Sequence, residues 1–217
     1  MMITFDQVTK RYPGGFEALS QVNFSLQKGE MVFLTGHSGA GKSTLLKLVA
    51  LLEWPTSGQL SVNGLNLNHL KKRDVAMHRS QLGITFQSSH FLNDRTVFDN
   101  VALPLQIQGL AYPMIAKRVH AALDMVGLLN KEKMLPVYLS GGEQQRLGIA
   151  RAVVHKPSLL LADEPTGNLD PKLAAEIMSL FEQFNHVGVS ILIATHDLAL
   201  IARMKHRIVM LKGGRMC

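Results

Sequence analysis

Gly36-His37-Ser38-Gly39-Ala40-Gly41-Lys42-Ser43-Thr44 is the stretch on which the reading of this chain turns. It has the spacing of a phosphate-binding loop: a glycine, four residues, then Gly-Lys-Ser/Thr. In front stands Met31-Val32-Phe33-Leu34, an apolar run of buried-strand length; behind stands Leu45-Leu46-Lys47-Leu48-Val49-Ala50, which reads as helix. A strand that passes through glycines into a helix lets backbone N–H groups curl around phosphate oxygens, and the helix N-terminus adds partial positive charge. In such a loop Lys42 reaches the β- and γ-phosphates and the Ser43 hydroxyl ligates Mg²⁺. The stretch predicts a nucleotide-phosphate site.

Length and composition frame that site. The 217 residues, 47% of them apolar, suffice for one globular domain with a substantial core. The only cysteine, Cys217, excludes an internal disulfide or a cysteine metal site, as expected in a reducing cytosol. Met1-Met2-Ile3-Thr4-Phe5-Asp6 has no basic region followed by an apolar stretch, so no signal peptide is expected. No apolar run approaches the about 18 residues of a spanning helix. The formal charge of +7 points to nucleotide, nucleic acid or an anionic membrane surface as a partner.

Working outward, period-two patterns at Ile3, Phe5, Val8 and at Val22, Phe24, Leu26 predict antiparallel strands with one open face. Gln59–Asn63 predicts another, followed by a polar basic stretch around Lys71-Lys72-Arg73, and Leu82–Phe86 predicts a strand ending at Gln87. From 88 to 157 the period becomes helical. Thr96 caps a helix carrying Val97, Val101, Leu105 and Ile107; a second carries Ile115, Val119, Ala122, Leu123 and Val126; a third begins at Ser140-Gly141-Gly142. Leu159–Ala162 and Val189–Ala194 are continuous apolar runs, the mark of parallel strands covered on both faces. Between them Asp170 caps a helix with Pro171 in its first turn. The expected fold class is α/β: a mainly parallel central sheet, an N-terminal antiparallel β-subdomain and an inserted helical subdomain. One domain spans 1–217, with 1–87 and 158–217 forming the nucleotide-binding core and 88–157 the insert.

Two further segments carry chemistry. Leu159-Leu160-Leu161-Ala162-Asp163-Glu164 ends a buried strand on two carboxylates, which is costly unless a cation lies beside them. Asp163 then holds Mg²⁺, usually through water, opposite Ser43; Glu164, pointing the other way by strand alternation, accepts a proton from an attacking water. Leu139-Ser140-Gly141-Gly142-Glu143-Gln144-Gln145 opens a helix with bare N–H groups and makes a second anion site. One nucleotide does not need two such sites from a single chain, so the economical expectation is a homodimer. Ser140, Gly141, Gly142, Glu143 and Gln144 of one copy would cap the γ-phosphate held by the loop of the other.

These segments, in this order, resemble the ATP-binding-cassette (ABC) ATPases over essentially the whole chain. Gly36–Thr44 corresponds to Walker A of a P-loop NTPase, Gln87 to the Q-loop and Leu139–Gln145 to the signature. Leu159–Glu164 corresponds to Walker B, Asn168-Leu169-Asp170 to the D-loop and His196 to the switch histidine. The resemblance implies an ATPase using ATP and Mg²⁺. It implies that Tyr12 stacks on adenine, that Glu164 is the general base, that His196 contacts the γ-phosphate, and that Gln87 links Mg²⁺ and the attacking water to a membrane subunit. A narrower resemblance, carried by Phe33–Leu48, Asp94–Ala102 and Glu182–Val189, is to the bacterial cell-division branch of the family. Leu161–Asp170 is similar also to the ATPases of lipoprotein release and macrolide efflux. The cell-division branch implies an FtsX-like integral membrane partner, the division machinery, and control of cell-wall hydrolases from the cytoplasmic face of the inner membrane.

Phe91-Leu92 falls in a loop, where apolar side chains are hard to bury, and Phe98 follows at the start of the first inserted helix. In the family this region receives a short cytoplasmic helix of the membrane subunit, so Phe91, Leu92 and Phe98 are expected to line that socket; the bland alternative folds them onto the Val97 and Val101 face. A nucleic-acid-remodelling ABC ATPase also suits the charge, but the insert is too short for a coiled coil and no aromatic and basic platform for bases is evident, so no nucleic acid is expected. A monomeric small-molecule kinase leaves Ser140–Gln145 unexplained. The remaining histidines, among them His69, His78, His120 and His206, show no ligand spacing.

Overall fold

The computed structural model describes residues 1–86, 90–167 and 169–217, the side chain of Ala199 excepted. The first two strands, β1 (Ile3–Arg11) and β2 (Glu17–Leu26), pair antiparallel; β3 (Met31–Thr35) leads into α1 (Lys42–Val49). Then come β4 (Ser57–Val62), β5 (Leu65–Asn66), α2 (Val75–Ser80) and β6 (Leu82–Thr85). The helical stretch is α3 (Val97–Ile107), α4 (Tyr112–Met125) and α5 (Gly141–Val153). The chain closes with β7 (Leu159–Asp163), α6 (Pro171–His186), β8 (Ser190–Ala194), α7 (Leu198–Ile201), β9 (Arg207–Lys212) and β10 (Arg215–Met216).

The strands form two sheets. A central one has the order β10-β9-β3-β8-β7-β6, parallel except for the β10 edge, and an antiparallel one has the order β2-β1-β4-β5. The continuous apolar runs are explained by a core on each face of the central sheet. Met31, Phe33, Leu160, Ala162, Ile191 and Ile193 pack with α3 to α6, whereas Val32, Leu34, Leu159, Leu161, Leu192 and Ala194 pack with α1 and the antiparallel sheet. Both side-chain sets of each strand are thereby removed from water, at about 1.5–3 kcal/mol for each large apolar residue.

Three helix starts follow their caps. The Thr96 hydroxyl accepts from the Asp99 N–H at 3.1 Å while the Asp99 carboxylate accepts from the Thr96 N–H at 3.3 Å. Ser140 and Glu143 repeat this reciprocal pair at α5. The Asp170 carboxylate accepts from the Lys172 and Leu173 N–H groups, both at 3.1 Å.

The structure departs from the sequence reading in four places. The 3, 5, 8 spacing on β1 is not a plain alternation: Gln7 adopts a left-handed φ of 49° and a register shift lies between Phe5 and Val8, so a bulge returns Val8 to the core. The basic stretch at 71–73 continues into the helix α2. It is held from outside its own sequence: His78 bonds the Val49 carbonyl, and Arg79 donates to the Ala50 and Leu51 carbonyls, satisfying the C-terminal end of α1. α7, four residues capped by Asp197, is also additional. Ile107 closes α3 but is 68% exposed rather than part of its buried stripe. Among the described residues no helix is long and apolar enough to cross a membrane.

Candidate active site

The C-terminal ends of β3, β7 and β8 meet at an open cleft of about 910 Å³. The whole loop from His37 to Thr44 lines it, with Glu164 and Thr166 after β7 and Thr195 to Leu198 after β8. The loop packs tightly enough to demand glycine. Gly36 (φ 149°) and Gly41 (φ 107°) have left-handed backbone, and a Cβ on either would collide with the carbonyls of Leu211 and Ala18 respectively. The His37 ring Nδ1–H donates to the Ser38 carbonyl at 2.7 Å, fixing one imidazole edge against the loop.

Lys42, almost wholly buried, donates to the Gly36 carbonyl at 2.7 Å and the His37 carbonyl at 3.3 Å, and its ammonium stands 3.9 Å from the Glu164 carboxylate. The same Glu164 oxygen accepts from His196 Nδ1–H at 2.9 Å. Strand alternation is not what aims Glu164. β7 ends at Asp163, and Glu164 turns to φ 50°, held by its own N–H to the Ala194 carbonyl at 2.8 Å and by the Gly167 N–H on its carbonyl at 3.1 Å. A non-glycine residue in this region is strained by about 1–3 kcal/mol, and here the strain swings the carboxylate over the loop.

Asp163 is 8% exposed, and its Oδ1 has no hydrogen-bond partner. Burial raises its carboxyl above the ordinary range, against the lowering effect of a Ser43 hydrogen bond and of Lys42 and Lys47 nearby. An orphaned buried carboxylate oxygen beside a serine hydroxyl is a hard oxygen donor set, so Ser43 and Asp163 fit a magnesium ion.

Gln87 falls outside the described residues, as does Asn168; Asp170 is the α6 cap. Tyr12 stands beside the phosphate loop. Its hydroxyl lies 3.4 Å from the Thr44 hydroxyl, and the Lys10 ammonium covers one ring face at 4.9 Å from the centroid. A second aromatic, Phe16, lines the cleft at 62% exposure, and its carbonyl accepts the Tyr12 N–H at 2.8 Å across the turn. The sequence reading missed it; an aromatic directly after Pro13-Gly14-Gly15 was the available signal. Phe16→Ala is expected to weaken ATP binding about tenfold while leaving tripolyphosphate binding unchanged, because only ATP brings a base to stack. Calorimetric titration with both ligands checks this, and equal weakening of both would count against a base contact.

Ser140 to Gln144 do not line the cleft. Ser140 and Gly141 are exposed, and a Cβ at Gly141 would meet open space. Behind them the segment is tied down: Glu143 bonds Lys131 at 2.6 Å, which together with the Ser140 N–H holds its carboxyl below the usual range, and Gln144 donates to the Pro136 and Leu139 carbonyls. Phe91, Leu92 and Phe98 are not gathered into one open socket. Phe91 is partly buried with the Arg151 guanidinium over its ring at 4.8 Å, and Phe98 packs edge-on to His120 with centroids 5.6 Å apart. Leu92 is 43% exposed on a backbone clamped by the Asn100 side chain.

The profile described as ABC transporter matches residues 19–167, covering the loop, the capped α5 and both acidic residues. The chain belongs to the ABC transporter ATPase family. A profile for an AAA domain, putative AbiEii toxin of a type IV TA system, also matches this ABC ATPase over residues 139–202. The cell division ATP-binding protein FtsE of Escherichia coli is 57% identical over 215 residues, covering 99% of this chain and 97% of the relative. FtsE of Mycobacterium tuberculosis is 46% identical over 217 residues, covering 100% and 94%. These identities put this ABC ATPase with the FtsE proteins. The dimeric structure of MJ0796, a bacterial ABC transporter cassette, superposes with a TM-score of 0.93 at 35% identity, covering 99% of this chain and 96% of that one. The same cassette in a dimeric post-hydrolysis state bound to ADP and Pi gives 0.92.

Proposed function

We propose that this chain is the ATP-hydrolysing subunit of a bacterial cell-division complex, acting as an ATP-dependent homodimer beneath an FtsX-like integral membrane partner. One observation carries the reading: the residues able to contact phosphate are split between two surfaces of one chain. The loop 37–44, Glu164 and His196 wall the cleft, whereas Ser140 and Gly141, at the start of α5, are exposed outside it. A two-fold dimer brings each surface to the other copy, so ATP bound by one loop meets the N–H groups of the partner's signature.

Within that dimer the idle contacts are exchanged for phosphate. Lys42 leaves the Gly36 and His37 carbonyls and the Glu164 carboxylate for the β- and γ-phosphates. Glu164, freed of its ammonium neighbour, takes a proton from water as the water attacks the γ-phosphorus; the bond from that phosphorus to the β,γ-bridging oxygen breaks, ADP leaves with the oxygen, and His196 keeps its Nδ1–H on the carboxylate or turns to the γ-phosphate. Ser43 and Asp163 would hold Mg²⁺, which when bound neutralises charge on the β- and γ-oxygens. Gln87 is the proposed link from this centre to the membrane subunit.

The FtsE relationship supports the cell-division assignment and, with it, a peripheral position on the cytoplasmic face of the inner membrane at the division site, from which ATP-driven dimerisation signals to peptidoglycan hydrolases. Leu92, exposed on its clamped loop, is the proposed contact for the membrane partner's cytoplasmic helix. Leu92→Glu is expected to keep the melting temperature and ATP affinity of the wild type but to lose co-purification with that partner from detergent-solubilised membranes, because an unpaired carboxylate cannot be buried there. Undiminished co-purification would move the docking site elsewhere.

A further inference from the structure

Behind the central sheet lies a groove of about 850 Å³ that ATP hydrolysis does not use. Ser158 and Val189, just before β7 and β8, belong to it, whereas Glu164 and Thr195, just after those strands, belong to the cleft. The five-residue strands hold the two sites about 17 Å apart.

One wall is the open side of α4, where Met114, Lys117, Arg118, Ala121 and Met125 recur at helical spacing. From Met114 to Met125 this wall runs about 16 Å, the length of roughly three helical turns. The facing wall is the end of α6, with Phe184 and Val187. Ala121 keeps the middle low enough for a close backbone approach, and the unbranched methionines at the ends adapt to what lies against them. Val187 is 78% exposed and Met114 49%, so apolar surface is left facing water.

The charge on this groove has one sign. Lys117, Arg118 and Lys156 line it and no Asp or Glu does. Among the described residues none of the three forms an ion pair. We propose that the groove receives an amphipathic, carboxylate-bearing helix of a protein partner, with an apolar stripe on the floor and acidic side chains on the three cations. Charge complementarity selects this occupant. A basic helix would meet three like charges, and an uncharged one would cover them unpaired. The elongated, concave shape selects a helix presenting anchors at i, i+4 and i+7 over a flat lipid surface. Because the groove lies at the other end of the strands, the helix binds without displacing nucleotide.

The test uses the full chain and two fluorescein-labelled synthetic helices of about four turns. Both carry Leu at i, i+4 and i+7, flanked by Glu in one and by Lys in the other. Anisotropy titration is expected to show saturable, salt-weakened binding of the Glu helix and at least about tenfold weaker binding of the Lys helix. Ala121→Arg, at an exposed position, fills the groove; it should abolish binding while leaving the melting temperature and ATP hydrolysis unchanged. Lys117→Glu combined with Arg118→Glu should reverse the preference. Equal binding of both helices, binding of neither, or indifference to these substitutions overturns the proposal. Phosphatidylglycerol vesicles are the remaining probe: if they retain the wild type but not Ala121→Arg while no helix binds, the groove serves a lipid surface and the proposal fails.

Discussion

Glu164→Gln is expected to slow ATP hydrolysis by about a hundred- to ten-thousandfold, the usual contribution of a positioned general base. ATP should stay bound. The carboxamide keeps the size of the side chain and tolerates the same strained backbone, and its oxygen still accepts the His196 N–H now found at 2.9 Å. What it loses is the ability to take a proton from water. It also loses the negative charge 3.9 Å from Lys42, which leaves the lysine freer to meet phosphate. Because nucleotide then persists at a site that, in the proposed dimer, a second copy completes, mass action should accumulate the dimer. Sedimentation with Mg-ATP should show a dimer for this variant where the wild type, hydrolysing, relaxes to a shorter-lived one. Turnover at a near-normal rate would remove Glu164 from the base role.

Ser140→Arg separates the two surfaces. Ser140 stands outside the cleft, so ATP binding by the single chain should be nearly unchanged, and the loss of an N-cap hydroxyl weakens α5 by only about 1 kcal/mol. Dimer-dependent hydrolysis should fall by at least about a hundredfold, because bulk now stands where the partner's nucleotide must approach the N–H groups. Lys42→Ala has the opposite signature, since it removes the charge that holds the phosphates. In a mixed dimer of the two variants one site carries both defects and the other carries neither. Equimolar mixing should therefore restore about a quarter of the wild-type rate if pairing is random and the sites fire independently. Equal loss of ATP binding in both single variants would sink the two-surface arrangement.

The parts legible in the sequence are those whose cause is local. The caps Thr96, Ser140 and Asp170, and the unbroken apolar runs of β7 and β8, each declare their own geometry within a few residues. The parts that were not legible depend on distant partners. α2 exists because His78 and Arg79 reach the carbonyls at the end of α1, some thirty positions earlier in the chain. Glu164 faces the loop because Ala194, on the neighbouring strand, holds its N–H in a left-handed turn. Phe16 comes to the cleft beside Tyr12 because the turn at 13–15 folds back, with the Tyr12 N–H on the Phe16 carbonyl. The basic groove combines α4 with the end of α6, and nothing in either segment alone announces it.

The alternation of β8 between two cores has a mechanical meaning. Ile193 packs with the layer that carries α5 and the signature, while Leu192, one residue earlier, packs with the layer that carries α1 and the phosphate loop. The central sheet is thus a stiff plate clamped from both sides, and each layer grips it through its own row of side chains. Neighbouring residues on a single five-residue strand therefore answer to different surfaces of the proposed dimer, one to the surface that would hold a nucleotide and the other to the surface that would cap the partner's.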